Sequence, residues 1–307
     1  MITAVCMNPA FDKTAATERF IPGGLNRLAD LRCDAGGKGV NVARTISRLG
    51  GTADCVGCLG AGDEAAFLAL LAEEKILFHG VSVPGRIRTN LKVLDASTGC
   101  ITELNEPGFV LTPKQQQDFL VLLREKTENS AYVIFSGSLP KGCSAAFYRE
   151  CMRDLQGKKC VLDVDGEALT LGMKESPFLV KPNLPELEAI VQKKLGSVSE
   201  VREAACMLIT RGAENVVVSL GKDGALFANG TQALFAPPLS VKVQSTVGAG
   251  DAMTGAMVMA IAQGERIIEA FRYGVAAGSA AVMTAGTQPL SREDFEWLLP
   301  QVRLEKL

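Results

Sequence analysis

The sequence predicts an α/β fold in which helices cover both faces of a mostly parallel β-sheet and a small second β-sheet forms a lid. Two observations lead to this prediction. Short apolar runs, typical of buried strands, alternate along the chain with longer segments of helical periodicity. This alternation is typical of a parallel sheet layered between helices. Two further segments interrupt it with turn-rich or two-residue patterns, which are typical of antiparallel strands.

Apolar runs predict the strands of the main sheet, and helical periodicity predicts the helices that cover it. Predicted strands lie at 2–7, 55–59, 132–136, 159–163, 178–181 and 216–220. Predicted helices lie at 39–49, 64–74, 113–125, 145–155, 184–191, 198–209, 250–263 and 267–283. Ligands of such sheets bind beyond the carboxyl ends of the strands, so we expect a functional site in the loops that follow them.

The two interrupting segments are residues 8–34 and 85–106. The first turns at Pro22-Gly23-Gly24, and the second alternates with a two-residue period before a turn at Ser97-Thr98-Gly99. Both patterns predict antiparallel strands outside the main sheet. We expect them to form a lid over the strand ends, where it would exclude water from a bound ligand. Ordinary surface hairpins are the alternative. The remaining residues form the core of one domain.

Composition excludes several classes of protein. The chain has 307 residues, of which 47% are hydrophobic and 21% charged, so it can bury a sizeable core. Its formal net charge of −2 speaks against nucleic-acid binding, which usually needs a basic excess. No run reaches the roughly 18 apolar residues of a spanning helix. The first residues also lack a signal-peptide pattern. We therefore expect a cytoplasmic protein with no membrane partner.

Cysteine and histidine usage narrows the chemistry. The nine cysteines are scattered and odd in number, which does not indicate a disulfide framework. Cys55 and Cys58 form a CxxC on a predicted strand, where they would face opposite sides, so we interpret them as buried thiols rather than zinc ligands. His79 is the only histidine, which excludes catalysis that needs a second one and any histidine-rich metal site.

The strongest local motif is Thr246-Val-Gly-Ala-Gly-Asp251-Ala-Met-Thr-Gly255, which opens a predicted helix after an extended stretch. Gly248 and Gly250 allow a tight turn that presents several backbone N–H groups in one direction. The amino end of a helix adds partial positive charge, so the turn suits a phosphate or a transferring phosphoryl group. Asp251 at this point can accept a proton from an attacking hydroxyl. A plain helix N-cap is the alternative.

A second glycine cluster, Asp34-Ala-Gly-Gly37-Lys38-Gly39-Val-Asn41-Val-Ala-Arg44, opens another predicted helix. It does not have the spacing of a Walker A loop, and the chain has no G-x-G-x-x-G dinucleotide fingerprint. Backbone donors, a lysine and an amide at one helix start suit a polyhydroxy or anionic substrate. A tight turn without a ligand is the alternative.

Three further motifs follow predicted strands. The loop Ser136-Gly-Ser-Leu-Pro-Lys-Gly142 is expected at the same edge. In Lys181-Pro-Asn183-Leu-Pro-Glu186, the amide and the carboxylate stand three residues apart at a helix start, where they suit Mg²⁺ held largely through water, or a capping box. Ser219-Leu-Gly221-Lys222-Asp223-Gly224 predicts a glycine turn that lies under a nucleotide or simply joins a hairpin.

Together these motifs resemble the PfkB (ribokinase-like) family of carbohydrate kinases over essentially the whole chain. The resemblance is carried by the order and spacing of Asn8-Pro-Ala-Phe-Asp12, Gly36–Arg44, Ser136–Pro140, Lys181-Pro-Asn183 with Glu186, and Val247–Asp251. Within the family the first two motifs resemble the branch that contains 1-phosphofructokinase and tagatose-6-phosphate kinase. The resemblance implies a ribokinase-like three-layer α/β/α sandwich with a β-sheet lid, ATP as co-substrate, and a homodimer formed through the lid.

The resemblance also implies roles for individual residues. Asp251 would be the base, and the backbone of Gly248, Ala249 and Gly250 would hold the developing phosphoryl charge. The sugar hydroxyls would be held by Asp12, Gly37, Lys38 and Asn41. The existing phosphate of the substrate would be faced by Arg88, Asn90, Lys92 and Ser138, with Lys141 nearby. The nucleotide would be lined by Lys181, Asn183, Ser219, Gly221, Lys222, Gly224, Gly278 and Ser279. Asn183 and Glu186 would place magnesium.

These roles predict an ATP-dependent kinase for a ketohexose monophosphate. Fructose 1-phosphate, phosphorylated on O6, is the first choice of acceptor, and tagatose 6-phosphate, phosphorylated on O1, is the alternative. A non-catalytic sugar or nucleotide sensor on the same fold is a more remote reading, although a carboxylate beside the anion hole would repel phosphate in a pure binder. A dinucleotide-dependent dehydrogenase also fits the sheet, but it lacks the glycine fingerprint.

Overall fold

A computed structural model describes residues 1–286 and 288–307. Its strands are β1 (Ile2–Cys6), β2 (Ala10–Thr17), β3 (Ala29–Gly36), β4 (Ala53–Gly60), β5 (Phe78–Val83), β6 (Arg88–Asp95), β7 (Ile101–Asn105), β8 (Tyr132–Ser136), β9 (Lys159–Asp163), β10 (Leu179–Val180), β11 (Asn215–Ser219), β12 (Ala225–Asn229), β13 (Ala233–Ala236) and β14 (Glu305–Lys306). Its helices are α1 (Lys38–Arg48), α2 (Glu64–Glu73), α3 (Pro113–Thr127), α4 (Phe147–Asp154), α5 (Gly166–Gly172), α6 (Leu184–Val191), α7 (Val198–Thr210), α8 (Ala249–Ala262), α9 (Ile267–Ala281) and α10 (Arg292–Leu298).

The main sheet has the strand order β14-β13-β12-β11-β10-β9-β8-β1-β4-β5 within the part of the chain that is described. The strands from β11 to β5 in this order run parallel, and β12, β13 and β14 are added antiparallel at one edge. The sequence predicted the central strands but missed this edge and β5. The parallel arrangement brings the carboxyl ends of β1, β8, β9, β10 and β11 to one side, where the motif loops begin.

Helices cover both faces of the main sheet, so the three-layer arrangement is confirmed. On one face, α1, α8 and α9 pack a cluster that includes Ile46, Met257 and Phe271. On the other face, α3 and α4 contribute Phe119 and Phe147 to a second cluster. All five of these side chains are fully buried or nearly so, and burial of apolar area of this kind is the main stabilising term of the fold.

The two cysteines of the CxxC lie on β4 and point to opposite faces of the sheet. Cys55 belongs to one apolar cluster and Cys58 to the other, and both are buried. Burial raises the pKa of both thiols above its usual range, to a degree that keeps them protonated at neutral pH. This confirms the interpretation of these residues as packed thiols.

A separate four-stranded sheet has the order β3-β2-β6-β7 and lies in the segments predicted as a lid, except that β3 continues to Gly36. The predicted antiparallel pairs are confirmed within the segments, where β2 pairs with β3 and β6 with β7. The pairing between the segments was not predicted: β2 and β6 run parallel, with Asp12 opposite Asn90. A parallel pair needs a long connection, and here that connection passes through α1, β4, α2 and β5. The crossover through the main sheet fixes this small sheet beside the strand ends of the core.

None of the described helices has the length and apolar character that crossing a bilayer requires.

Candidate active site

Helix α8 begins at the glycine turn that the sequence singled out. Gly248 precedes its first residue and has a φ of 78°, a left-handed conformation that favours glycine. A Cβ added to Gly250 would lie 2.9 Å from Lys181 Nζ, so glycine at this position allows the ammonium group to approach the start of the helix. Asp251 follows and is only 5% exposed. Backbone donors, a buried ammonium and a buried carboxylate therefore meet at one helix end.

Asn41 connects the two glycine-opened helices. Its amide nitrogen Nδ2 donates a hydrogen bond of 2.8 Å to Asp251 Oδ2. Helix α1 begins at Lys38 after Gly37, whose φ is 111°. The helices approach closely, since a Cβ on Gly255 would lie 2.8 Å from the Val42 carbonyl oxygen. Glycine at this crossing thus allows an α1 side chain to reach the carboxylate on α8.

Asp163, at the carboxyl end of β9, is a central residue to which sequence reasoning assigned no role. It is buried, and its Oδ1 lies 3.3 Å from Lys181 Nζ and 3.5 Å from Lys38 Nζ. Thr254 Oγ1, one turn after Asp251, donates a hydrogen bond of 2.9 Å to Asp163 Oδ2. The only sequence signal was an acidic residue that closes an apolar strand at the predicted edge of the sheet.

The electrostatics of this cluster separate its two carboxyl groups. Burial raises the pKa of Asp251 to about 6, and the negative charge of Asp163 also raises it. Lys38, the hydrogen bond from Asn41 and Lys181 lower this pKa but do not outweigh the rise. Burial also raises the pKa of Asp163, but Lys181 and Lys38 outweigh it and hold that pKa below its usual range. Two carboxyls with separated pKa values provide one fixed anion and one group that titrates near neutrality.

A cavity of about 150 Å³ opens beside this cluster, between β1, β8 and the four-stranded sheet. Arg88 lines it and donates from Nε to the Asn8 carbonyl oxygen at 3.2 Å, while Asn8 Nδ2 donates to Ser138 Oγ at 3.3 Å. Within the described part of the chain, Asn8 Oδ1 and Ser136 Oγ are buried without a hydrogen-bond partner. Buried polar atoms without partners are costly, so this cavity suits a polar ligand.

On the four-stranded sheet, Asn90 Nδ2 donates to Asp12 Oδ1 at 2.9 Å, and Asp12 is buried. A Cβ on Gly36 would collide with the Asp12 carboxylate, so the glycine allows this side chain to lie against β3. Lys92 is also buried and shares a face of β6 with Arg88 and Asn90. The structure thus gathers the predicted lid residues on one strand pair.

The predicted nucleotide residues lie around the ends of β10 and β11. Asn183 and Glu186 form a full capping box, in which both carboxylate oxygens accept hydrogen bonds from Asn183 at 2.9 Å. Ser219 pairs with Asn183 through an isolated parallel bridge. Gly221 and Gly224 have φ values of 61° and 98° in a turn that also contains Lys222 and joins β11 to the antiparallel β12. The turn is therefore a hairpin connection at the predicted edge.

The last predicted pair, Gly278 and Ser279, lies on α9. A Cβ on Gly278 would be 3.3 Å from the Ala249 carbonyl oxygen, so glycine allows α9 to pack against the first turn of α8. Ser279 is half-buried. Gly278 therefore lies next to the helix start that carries Asp251.

The donor set fits a magnesium ion held through water better than a closed cage. No cluster of three or more His, Cys, Asp or Glu suited to a metal occurs among residues 1–286 and 288–307. Glu186 already accepts two hydrogen bonds, yet each of its oxygens keeps a further lone-pair direction. Mg²⁺ is commonly bound by one or two carboxylates, retained waters and substrate phosphates.

A family model described as the pfkB family carbohydrate kinase matches residues 4–294. The chain belongs to this family. This pfkB kinase is 35% identical over 299 residues to the ATP-dependent 6-phosphofructokinase isozyme 2 of Escherichia coli K12, covering 96% of both chains. It is 36% identical over 278 residues to the 1-phosphofructokinase of Rhodobacter capsulatus, covering 90% of this chain and 88% of the relative.

Its fold is similar to that of solved members of the family. A crystal structure of phosphofructokinase-2 from Escherichia coli in complex with fructose-6-phosphate superposes with a TM-score of 0.91 at 33% identity, covering 98% of both chains. The predicted ribokinase-like fold and the predicted enzyme class, an ATP-dependent sugar-phosphate kinase, are confirmed for this pfkB kinase. The roles of individual residues remain predictions.

Proposed function

We propose that this chain transfers the γ-phosphoryl group of ATP to fructose 1-phosphate and forms fructose 1,6-bisphosphate, with Asp251 as the general base. The observation that carries the proposal is the placement of a buried carboxylate, with a pKa of about 6, at the amino end of a glycine-opened helix. A base whose pKa lies near the operating pH is both ionised and able to accept a proton. Curated 1-phosphofructokinases among the relatives support the choice of acceptor.

In the proposed reaction, Asp251 takes the proton of the attacking sugar hydroxyl as its oxygen forms a bond to the γ-phosphorus. The bond from the γ-phosphorus to the bridging oxygen breaks, and ADP leaves with that electron pair. Backbone N–H groups of Gly248, Ala249 and Gly250 stabilise the charge on the transferring group, and Lys181 lies close enough to add to this. The Asn41 hydrogen bond orients the carboxylate.

The substrate's own phosphate is assigned to the cavity that Arg88 lines. A guanidinium group suits bidentate phosphate binding, and the partnerless hydroxyl group of Ser136 can donate a hydrogen bond to a phosphate oxygen there. The remaining assignments on this side are Ser138, Asn90 and Lys92 for the phosphate, and Asp12, Gly37, Lys38 and Asn41 for the sugar. We propose that residues 8–34 and 85–106 act as the lid of a single kinase domain.

The nucleotide is assigned to the opposite side of the same strand ends. Its proposed contacts are Lys181, Asn183, Ser219, Gly221, Lys222, Gly224, Gly278 and Ser279. Asn183 and Glu186 would hold Mg²⁺ through water, and the ion would neutralise phosphate charge when bound. Exposed leucines on the small sheet and its connecting loop, such as Leu25, Leu31 and Leu104, support the proposed homodimer through the lid. The cytoplasm remains the predicted compartment.

Fructose 6-phosphate is a second candidate acceptor, favoured by the similarity to 6-phosphofructokinase isozyme 2 across nearly the whole chain. Phosphorylation of its O1 gives the same bisphosphate. Tagatose 6-phosphate stays the alternative that the sequence motifs predict. These three sugar phosphates differ only in which end carries the phosphate or in one stereocentre. A comparison of all three as acceptors therefore decides among them.

The test is ADP release with Mg²⁺, ATP and one acceptor at a time: fructose 1-phosphate, fructose 6-phosphate, tagatose 6-phosphate or unphosphorylated fructose. We expect the highest kcat/KM with fructose 1-phosphate and little turnover with fructose. A higher kcat/KM with either of the other two phosphates would reassign the acceptor. Absence of sugar-dependent ADP release with the whole panel would contradict the proposed function and favour a non-catalytic sensor.

A further inference from the structure

Arg44 is a buried guanidinium group that the proposed reaction does not use. It lies on α1, one turn after Asn41, and is only 4% exposed. Nη1 donates a hydrogen bond of 2.9 Å to Asn41 Oδ1. Nη2 donates to the Ala35 carbonyl oxygen and, at 2.8 Å, to Glu74 Oε1, while Nε donates to Glu74 Oε2. Four acceptor atoms, from three residues, therefore hold one planar group in a fixed orientation.

This arrangement determines which way the Asn41 amide points. A guanidinium has only donors, so the amide atom that faces it must be the oxygen. The amide nitrogen then faces Asp251, where it donates to Oδ2 at 2.8 Å. Without Arg44 the amide could rotate by half a turn and present its oxygen to the carboxylate. An oxygen there would repel the ionised carboxylate and favour its protonated form.

We propose that Arg44 is a positioning residue that fixes the polarity of the Asn41 amide, so that Asn41 always donates to Asp251 and keeps this carboxylate ionised and oriented for proton removal from the substrate. The inference rests on the proposed role of Asp251 as the base. It assigns a function to a side chain that does not line the cavity beside Arg88 and that makes no hydrogen bond to Asp251 itself.

The other groups around Asp251 have opposing effects on its ionisation, so one hydrogen bond can change the balance. Asp163 at the end of β9 favours the protonated form, whereas Lys38 on α1 and Lys181 after β10 favour the ionised form. Cys6 at the end of β1 is neutral, because burial raises its pKa to about 11. Helix α9 presents Gly274 and Gly278 to α8. Among the groups that set the pKa of Asp251, Asn41 is thus the uncharged hydrogen-bond donor.

The experiment measures the pH dependence of kcat/KM for the preferred sugar phosphate in Arg44→Met and Arg44→Lys. The methionine removes every donor but retains a long side chain in the buried position. We expect the acid limb of the profile to move up by roughly one pH unit in Arg44→Met, the size expected when one hydrogen bond to a carboxylate is lost. Turnover at pH 9 should recover towards the wild-type value, and the KM for ATP should change less than about twofold.

A double-mutant cycle shows whether Arg44 acts through Asn41. In an Asn41→Ala background, Arg44→Met should move the acid limb no further, because the group that transmits the effect is absent. Arg124→Met is the matched control, since Arg124 is half-exposed, pairs with Asp154 and is not part of the site. It should leave the acid limb unchanged. If Arg44→Met does not fold, Arg44→Met/Glu74→Met removes the unpaired carboxylate and is measured instead.

Two results would overturn the inference: an acid limb in Arg44→Met that coincides with the wild type, or an equal shift with and without Asn41. Either would leave Arg44 with a purely structural role, visible as a lower melting temperature alone. These failures are distinguishable from failure of the proposed function. In that case the wild type itself would release no sugar-dependent ADP, or Asp251→Asn would turn over normally.

Discussion

Thr254 Oγ1 donates a hydrogen bond of 2.9 Å to Asp163 Oδ2, although 91 residues separate them. The bond joins the helix that carries Asp251 to the carboxyl end of a central strand. It also gives Asp163 Oδ2 a hydrogen-bond donor, while the ammonium groups of Lys38 and Lys181 lie near Oδ1. Asp163 thus stays ionised, and its charge helps to make Asp251 the carboxyl group that titrates near neutrality.

The pH dependence of the reaction follows from this arrangement. As the proposed base, Asp251 would have to be ionised to accept a proton, and its pKa is raised to about 6. We expect kcat/KM to be constant above this pH and to fall about tenfold per unit below it. Steady-state rates from pH 4.5 to 9, with the ATP and Mg²⁺ concentrations kept saturating, measure this. A profile that stays flat down to pH 4.5 would contradict the raised pKa.

The free energy of unfolding should also depend on the ionisation of Asp251, but ionisation should lower it, whereas ionisation raises the proposed activity. The pKa of Asp251 in the folded chain is about 6, above the ordinary value of 3.8, so the folded state holds this proton more tightly than the unfolded state. The ionised carboxylate therefore destabilises the fold above pH 6, and this cost disappears as pH falls towards 4. Asp251→Asn should raise the free energy of unfolding at pH 8 by roughly 1–3 kcal/mol.

Thermal unfolding at pH 8 and pH 4.5 checks this prediction, because the gain of Asp251→Asn should shrink at the lower pH. Asp223→Asn is a suitable control, since Asp223 is exposed in the turn after β11. A variant that is less stable than the wild type at pH 8 would show that the carboxylate is held favourably in its ionised form.

Arg88→Ala tests the proposed assignment of the substrate phosphate to the cavity that Arg88 lines. Removing the guanidinium should raise the KM for the sugar phosphate by roughly 10- to 100-fold, the usual effect of losing a charge-assisted contact. The KM for ATP should stay within about twofold. Arg86→Ala is the matched control two residues away, because Arg86 is largely exposed and pairs with Asp63. Similar increases in both KM values would refute the assignment.

Gly250→Ala tests the close approach of Lys181 to the helix start. The added Cβ would lie 2.9 Å from Lys181 Nζ, which forces the ammonium away from the proposed phosphoryl position. We expect kcat to fall about 10- to 100-fold, as misplaced catalytic groups commonly cause, while the fold is retained. Gly230→Ala is the matched control, since a Cβ there has nothing within 4 Å. Unchanged kcat in Gly250→Ala would remove Lys181 and this turn from the reaction.

Much of the fold could be predicted from local signals. The bounds of β8, β9 and α6 coincide with the prediction, because each is a short apolar run or a capped helix with clear ends. The hairpin of β12 and β13 was missed, because both strands are too short to show a clear hydrophobic pattern in the sequence. The hairpin is stabilised by the pairing of β12 with β11. The parallel pairing of β2 with β6 likewise depends on a crossover that no local pattern reports.

The site was predictable where glycine turns or strand ends identify it. Asp251 and Asn41 stood in glycine motifs, and the structure places them in direct contact. Arg88 stood on a predicted lid strand and received its role only through the family resemblance. Asp163 and Arg44 could not be assigned, because their environments are built from residues that are distant in sequence. Arg44 needs Glu74 from the end of α2 as well as Asn41, and such a network appears only once the helices pack.

The most direct test of the account is the turnover of Asp251→Asn with saturating Mg²⁺-ATP and the preferred sugar phosphate at pH 8. We expect kcat to fall by about 10²- to 10⁴-fold, the usual contribution of a general base. Dissociation constants for ATP and sugar phosphate, measured by calorimetry on the same variant, should stay within several-fold of the wild type. Near-normal turnover, or loss of substrate binding without a matching loss of kcat, would contradict the assignment of Asp251 as the base.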